Sequence, residues 1–173
     1  MQNLEQRITD LEDALVERKR EGAKPDEIRR ALVGFANSVP EGDDGVIFFG
    51  VDDQSGIIIG VDGAAGLLKK IQGYCDADVY PAIRHQGHIL SVSGKHVVAI
   101  VIPASTDKPH FAGAAYVRDG ARTRRASEEQ YAALIASRNS TAGALQRIGN
   151  ATISIVAINK TLGRPGHLEN GYR

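Results

Sequence analysis

Glu12, Glu17, Lys19, Asp52 and Asp53 are the residues whose types could do chemistry together. Carboxylates in a cluster can hold a hard divalent cation, because Mg²⁺ and Mn²⁺ prefer oxygen ligands. A metal so held activates water and stabilises charge on a phosphoryl group. The spacing of Glu12 and Glu17 is awkward for this. On one continuous helix, side chains five apart point about 140° away from each other. On one strand an odd spacing sends them to opposite faces. They converge only where the chain changes from helix to strand between them, near Ala14–Val16. With that break, Glu12, Glu17 and Asp52 can gather round Mg²⁺ or Mn²⁺. Lys19 would then share the Glu17 face and reach a phosphate. The same residues also suit a solvated helix face followed by a turn aspartate.

A second constellation is basic. The run Tyr116-Val-Arg-Asp-Gly-Ala-Arg-Thr-Arg-Arg-Ala sets Arg118, Arg122, Arg124 and Arg125 against Asp119, and Lys108 and His110 precede it. Guanidinium groups offer planar paired donors that match phosphate. The run reads as a surface for a phosphate backbone, one that positions rather than reads sequence. Local ion pairs account for the same composition equally well. The formal net charge of zero conceals an asymmetry, since residues 1–53 carry 13 acidic and 7 basic side chains while the remainder is basic by the same margin. A basic half suits an anionic partner.

Other chemistries lack their motifs. There is no G-x-G-x-x-G fingerprint and no Walker lysine. The five histidines have no zinc-ligand spacing, and no Gly-x-Ser-x-Gly elbow is present. A single cysteine, Cys75, precludes an intrachain disulfide and fits a reducing compartment. With a polar start and no long apolar run, the expectation is a cytoplasmic protein with no membrane span.

The elements that must place these residues follow from periodicity. Leu4, Ile8, Leu11 and Leu15 predict an amphipathic helix. Pro25 opens a second helix, with Asp26 and Glu27 at its positive end and Ile28, Leu32, Phe35 and Ala36 on its apolar face. Val46–Val51 and Ile57–Val61 predict two strands buried on both faces, joined by a turn at Asp52–Gly56. Asp62 predicts the cap of a helix through Leu67, Leu68, Ile71 and Tyr74. Ala82–His85, His88–Val92, His96–Ile102 and Ala115–Arg118 predict strands. Ser127 predicts the cap of a last helix that turns Leu134 and Ile135 inward. The sum is an α+β fold with a mixed, mostly antiparallel sheet packed by helices. Residues 1–138 form the expected domain, N-terminal helix included. Residues 139–173 are an expected extension, with a helix at Thr141–Ile148, a strand at Ala151–Ile158 and a disordered tail.

In their order, several segments resemble the Schlafen AlbA-like domain. They are Leu15-Val-Glu-Arg-Lys, Ala31-Leu-Val-Gly-Phe-Ala-Asn-Ser, Gly45-Val-Ile-Phe-Phe-Gly-Val-Asp-Asp, Gly56-Ile-Ile-Ile-Gly-Val, Lys108-Pro-His-Phe, Ala115-Tyr-Val-Arg-Asp-Gly, Thr123-Arg-Arg-Ala and Ser127-Glu-Glu. The resemblance spans Leu11 to Arg138. It implies an α+β fold and association with RNA or DNA. Through its vertebrate members it implies metal-dependent endoribonuclease cleavage of structured, tRNA-like RNA at Glu12, Glu17 and Asp52, with Asp53 able to replace Asp52. It also implies a strand at the Glu17-x-Lys19 motif. A single module further suggests a homodimer. A dimerising regulatory or defence-system subunit is a third reading. Two departures from the family pattern stand out: Arg18 replaces an aromatic or apolar residue, and the Ser38–Asp44 loop is long.

Overall fold

Along Val46–Phe49 the side chains alternate between two separate cores. Ile47 and Phe49 belong to one, and Val46 and Phe48 to the other. A strand apolar at every position therefore has both faces covered. This strand is central to the computed structural model, which describes residues 4–10 and 12–138. The helix, strand and tail expected within residues 139–173 lie outside the described residues. The chain divides into two units, Met1–Ile135 and Ala136–Arg173, and the sheets and the site belong to the first.

The elements in order are α1 (Leu4–Arg7), β1 (Val16–Lys19), α2 (Pro25–Ser38), β2 (Asp44–Phe49), α3 (Ala64–Gly73), a π-helical turn (Tyr74–Asp78), β3 (Gln86–Val92), β4 (Lys95–Pro103), β5 (Tyr116–Asp119) and β6 (Arg122–Arg125). A last helix, α4, begins at 128. One sheet runs β1-β2-β4-β3, and β5-β6 forms a separate hairpin. β1 and β2 are parallel, with α2 as their crossover, and the other pairs are antiparallel. The mixed, mostly antiparallel α+β arrangement is the one the periodicity implied.

On one face, α2, α3 and the π turn pack Leu32, Phe35 and Ile71 against Ile47, Phe49, Ile100 and Ile102. On the other, Ile8 covers Val16, Phe48 and Val51. α2 keeps the expected apolar stripe, but Gly34 is equally important. A Cβ there would come within 2.9 Å of Thr123, so its absence lets the β5–β6 hairpin lie directly on the helix. α2 stops at Ser38, where the Val39 N–H still donates to Phe35 O at 2.9 Å and Pro40 follows.

Several local expectations are corrected. α1 is one turn long. Asp13 ends the helical option, because its Oδ1 accepts the N–H groups of Leu15 and Val16 at 2.6 and 2.9 Å. Ile57–Val61 is not a strand. Only Ile58 bridges back, to Val51. Gly50 sits at a φ of 94°, and its carbonyl accepts both the Ile59 and Gly60 N–H groups, folding the segment into a tight return. Ile57 and Ile59 are 64% and 49% exposed, so this run is not covered on both faces. Asp62 does not cap α3, whose N-cap is Gly63 with no side-chain bond. Residues 82–85 are irregular, and Gln86 opens the strand instead. Ser127 does cap α4, accepting the Gln130 N–H at 3.2 Å while Gln130 Oε1 accepts the Ser127 N–H at 3.0 Å. Leu134 is buried there, but Ile135 is 38% exposed.

Asn37, at the end of α2, joins the helix to the loop and hairpin that follow the sheet. Its Nδ2 donates to His110 O and Tyr116 O at 3.0 and 2.9 Å, and its Oδ1 accepts the His110 N–H at 2.7 Å. Asn37→Ala strands three backbone groups in a buried position. The expected loss is about 2–3 kcal/mol in urea unfolding. A loss below about 0.5 kcal/mol would mean that water replaces the amide.

Candidate nucleic-acid interface and acidic centre

β1 divides its side chains between two faces, as a strand must. Val16 joins the core under Ile8. Arg18 lies on that same side. Its Nε donates to Ile8 O at 3.1 Å and its Nη2 donates to Asp10 O, which ties down the N-terminal segment. Glu17 and Lys19 take the opposite side, and Lys19 Nζ lies 2.6 Å from Glu17 Oε1. The chain does not change from helix to strand between Glu12 and Glu17: α1 ends at Arg7, and Glu12 stands in the irregular segment that leads into β1. That segment brings Glu12 Oε1 to 2.6 Å from the Arg18 N–H, which donates to it.

Arg118, from β5, reaches into this acidic centre. Its side chain is 1% exposed and is ion-paired with Glu17. Nη1 donates to Thr123 Oγ1 at 3.1 Å and Nη2 to Asp13 O at 2.6 Å. The guanidinium carbon sits 4.5 Å from the centre of the Phe35 ring. Nε is buried with no acceptor among the described residues. Burial lowers the Arg118 pKa, while Glu17, Glu12 and Asp13 push it back up. The group remains a cation at neutral pH, since arginine starts far above it.

Asp52 lies at the end of β2 and serves a different local structure. Its Oδ1 accepts the N–H groups of Gln54 and Ser55 and the Ser55 hydroxyl, at 3.2, 2.8 and 2.7 Å. Its other oxygen is paired with Arg20. Ser55 first, and Arg20 after it, hold the Asp52 carboxyl down to about 2. Asp53 is exposed in the turn and adds to the negative field at Glu12.

The three carboxylates proposed as metal ligands are thus each engaged by internal donors. Among the described residues no group of three His, Cys, Asp or Glu side chains converges closely enough to hold a metal ion. The donor set does not fit Mg²⁺ or Mn²⁺, because a guanidinium and an ammonium already neutralise Glu17 and a serine turn uses Asp52. No cleavage step is assigned to these residues. Cys75 is buried, and burial, reinforced by Asp76, pushes its thiol up to about 12, so it is no ready nucleophile.

Glu12 bears the cost of this crowding. Burial raises its pKa, the Arg18 N–H opposes the rise, and Glu17 and Asp53 add to it. A carboxyl with a raised folded-state pKa binds protons more readily folded than unfolded, so it makes stability fall as pH rises through the window above its ordinary value. Glu12→Gln keeps the acceptor for Arg18 and removes the charge. Its expected effect is a higher melting temperature at pH 7 and a smaller difference between pH 5 and pH 7. An unchanged pH profile would show that Glu12 is solvated.

The predicted phosphate contacts separate into two groups. Arg118 is internal, as described. Lys108 is half-buried, donates from Nζ to Val39 O at 3.2 Å at the C-terminal end of α2, and has its pKa lowered by burial. Neither offers a free cation at the surface. Arg122, Arg124 and Arg125 are exposed. Register places Arg122 opposite Asp119 and Arg124 opposite Val117, while Arg125 faces Tyr116. Arg122 and Arg124 therefore share one side of the hairpin, and Arg125 lies on the other. Among the described residues only Arg124 of these three is ion-paired, to Asp119 at 3.1 Å with both partners well exposed. Arg20 and Ser55, the partners of Asp52, escaped the sequence reading because nothing in the pattern ties a residue beyond β1 to the turn after β2. The register alone does not separate Arg118 from its neighbours, because Arg118 pairs with Thr123 on the same side of the hairpin as Arg125.

The family described as Schlafen, AlbA_2 matches residues 12–127, from the acidic centre through both strands of the hairpin to the α4 cap. The chain belongs to this Schlafen AlbA_2 family. No curated protein matches it in sequence. Among solved structures, the N-terminal domain of a protein described as related to the ATP-dependent DNA helicase RecG, from Nitrosomonas europaea, is similar with a TM-score of 0.56 at 23% identity, over 74% of this chain and 92% of that one. The DIP2311 protein from Corynebacterium diphtheriae is similar with a TM-score of 0.52 at 21% identity, over 68% of this chain but 26% of that one. At these identities the likeness to both structures is one of fold. Among the described residues, this AlbA_2 chain has no helix long and apolar enough to cross a membrane.

Proposed function

We propose that this chain is a nucleic-acid-binding module that grips the phosphate backbone through the β5–β6 hairpin. The observation that carries the reading is the division of labour among its cations. Arg118 and Lys108 are used inside, where they fix the hairpin and the end of α2. Arg122, Arg124 and Arg125 are left exposed on a rigid two-stranded element. Donors held at set spacing on a fixed scaffold lose little freedom when they meet phosphates. Membership of the AlbA_2 family supports the same reading, as does the helicase relationship by which the Nitrosomonas neighbour is described. Contacts of this kind orient a strand and carry no sequence information.

The test is fluorescence anisotropy with labelled RNA and DNA at about 50 and 200 mM salt. Binding that weakens steeply with salt, and that is the same in EDTA, is the expected result. No binding to either polymer at the lower salt overturns the proposal.

A further inference from the structure

Beside Arg125 lies a depression of about 280 Å³ bounded by Phe111, Ala114, Ala115, Arg125, Ala126 and Tyr131. Beside it the Ala126 N–H donates to Ala115 O at 2.9 Å, joining the end of β6 to the residue before β5. Gly113, at a φ of 73°, turns the chain at the rim, and a Cβ there would meet nothing within 4 Å. The wall is aromatic. The Phe111 and Tyr131 rings lie 6.0 Å apart and tilted by 58°, and Tyr131 is 38% exposed.

Size, surface and charge together select an occupant. Ligand pockets usually measure about 300–1,000 Å³, so this one suits a single ring system and not a whole dinucleotide. Three alanines line it with small apolar groups, and an exposed tyrosine offers a face for stacking. Arg125 lines it, on the side of the hairpin away from Arg122 and Arg124. A flat apolar group carrying an anion meets all three conditions. Exposed Glu128 at the rim suits an amino donor on that ring and would repel a bare phosphate. Within a duplex the bases are stacked inward and unavailable, whereas in a single strand they can splay onto aromatic side chains.

We infer that this depression takes one unstacked nucleobase of a single strand, stacked on Tyr131, with Arg125 on the adjoining phosphate. The inference rests on the nucleic-acid reading above and specifies the strand state that it leaves open. The probes are a short oligonucleotide containing 2-aminopurine, whose fluorescence reports stacking, and a duplex of the same strand. The full chain should bind the single strand more tightly than the duplex and change the probe's fluorescence. Tyr131→Ala should weaken single-strand binding by about 5- to 100-fold, remove the fluorescence change and leave duplex binding unaltered. Tyr131→Phe should behave as the parent, and far-UV circular dichroism should be the same for all three. If Tyr131→Ala binds both probes as the parent does, the depression is not a base site, while phosphate binding by the hairpin stands. If the parent binds neither probe, the base site and the proposed function fall together.

Discussion

Replacing Arg118 by methionine is expected to remove about 3–5 kcal/mol of stability, the usual cost of deleting one member of a buried ion pair. Methionine preserves much of the apolar stem that lies over Phe35, so the loss reports on the guanidinium rather than on volume. What it leaves behind decides the size. Among the described residues Glu17 would keep Lys19 alone as its partner, with its side chain 11% exposed, and Asp13 O and Thr123 Oγ1 would each lose a donor. The melting temperature should fall by about 10–20 °C for a domain of this size. Arg118→Lys should recover only part of this, because an ammonium cannot span Glu17, Thr123 and Asp13 at once. Removing both charges in Arg118→Met with Glu17→Gln should recover part of it, since the buried carboxylate is no longer left without its guanidinium, while Lys19 loses its carboxylate partner. A single-variant loss under about 1 kcal/mol would place the pair in the weak class of solvated surface bridges. The same pair joins β5 to β1, so the exposed arginines of the hairpin inherit their position from it.

The pattern of apolar residues was enough for β2, an unbroken apolar run, and for α2 and α3, each with an apolar stripe at helical spacing. Ile57–Val61 misled for a physical reason. Its composition is that of a strand, yet Gly56 and Gly60 lie at positive φ and send the backbone N–H groups of Ile59 and Gly60 to one carbonyl, that of Gly50. Hydrophobic content cannot report such a return. The acidic centre was half legible. The spacing of Glu12 and Glu17 excludes one continuous helix or strand, but the helix ends at Arg7, before Glu12, and it is Asp13, an ordinary turn residue, that shapes the entry to β1. Which cation neutralises Glu17 was not legible from local pattern. The answer lies 101 residues away, in Arg118, and is fixed by the close approach of α2 at Gly34. Composition groups the four arginines of the hairpin, whereas the fold buries Arg118 and exposes the other three, although the register puts Arg118 on the same side of the hairpin as Arg125.

Those three should carry most of the affinity. Changing Arg122, Arg124 and Arg125 together to alanine is expected to reduce the salt slope of duplex binding by about 2.7, at about 0.9 per phosphate contact. Between about 50 and 200 mM salt this corresponds to about a 40-fold smaller fall in affinity than the parent shows. Arg124 is included despite its bond to Asp119, because a pair with both members about 60% exposed is worth little and exchanges readily for a phosphate. The triple variant should melt within about 1 kcal/mol of the parent, as substitutions at exposed positions do. That separates it from Arg118→Met, which should lose stability first and binding only as a consequence. Arg122→Ala with Arg124→Ala should account for about two-thirds of the slope change, with Arg125 supplying the rest from the opposite side of the hairpin. A triple variant with the parent's slope would move the phosphate contacts off β5–β6 altogether. Charge reversal at the same three positions, tested in the same titration, should abolish binding at the lower salt, because it replaces released counterions with direct repulsion of the strand.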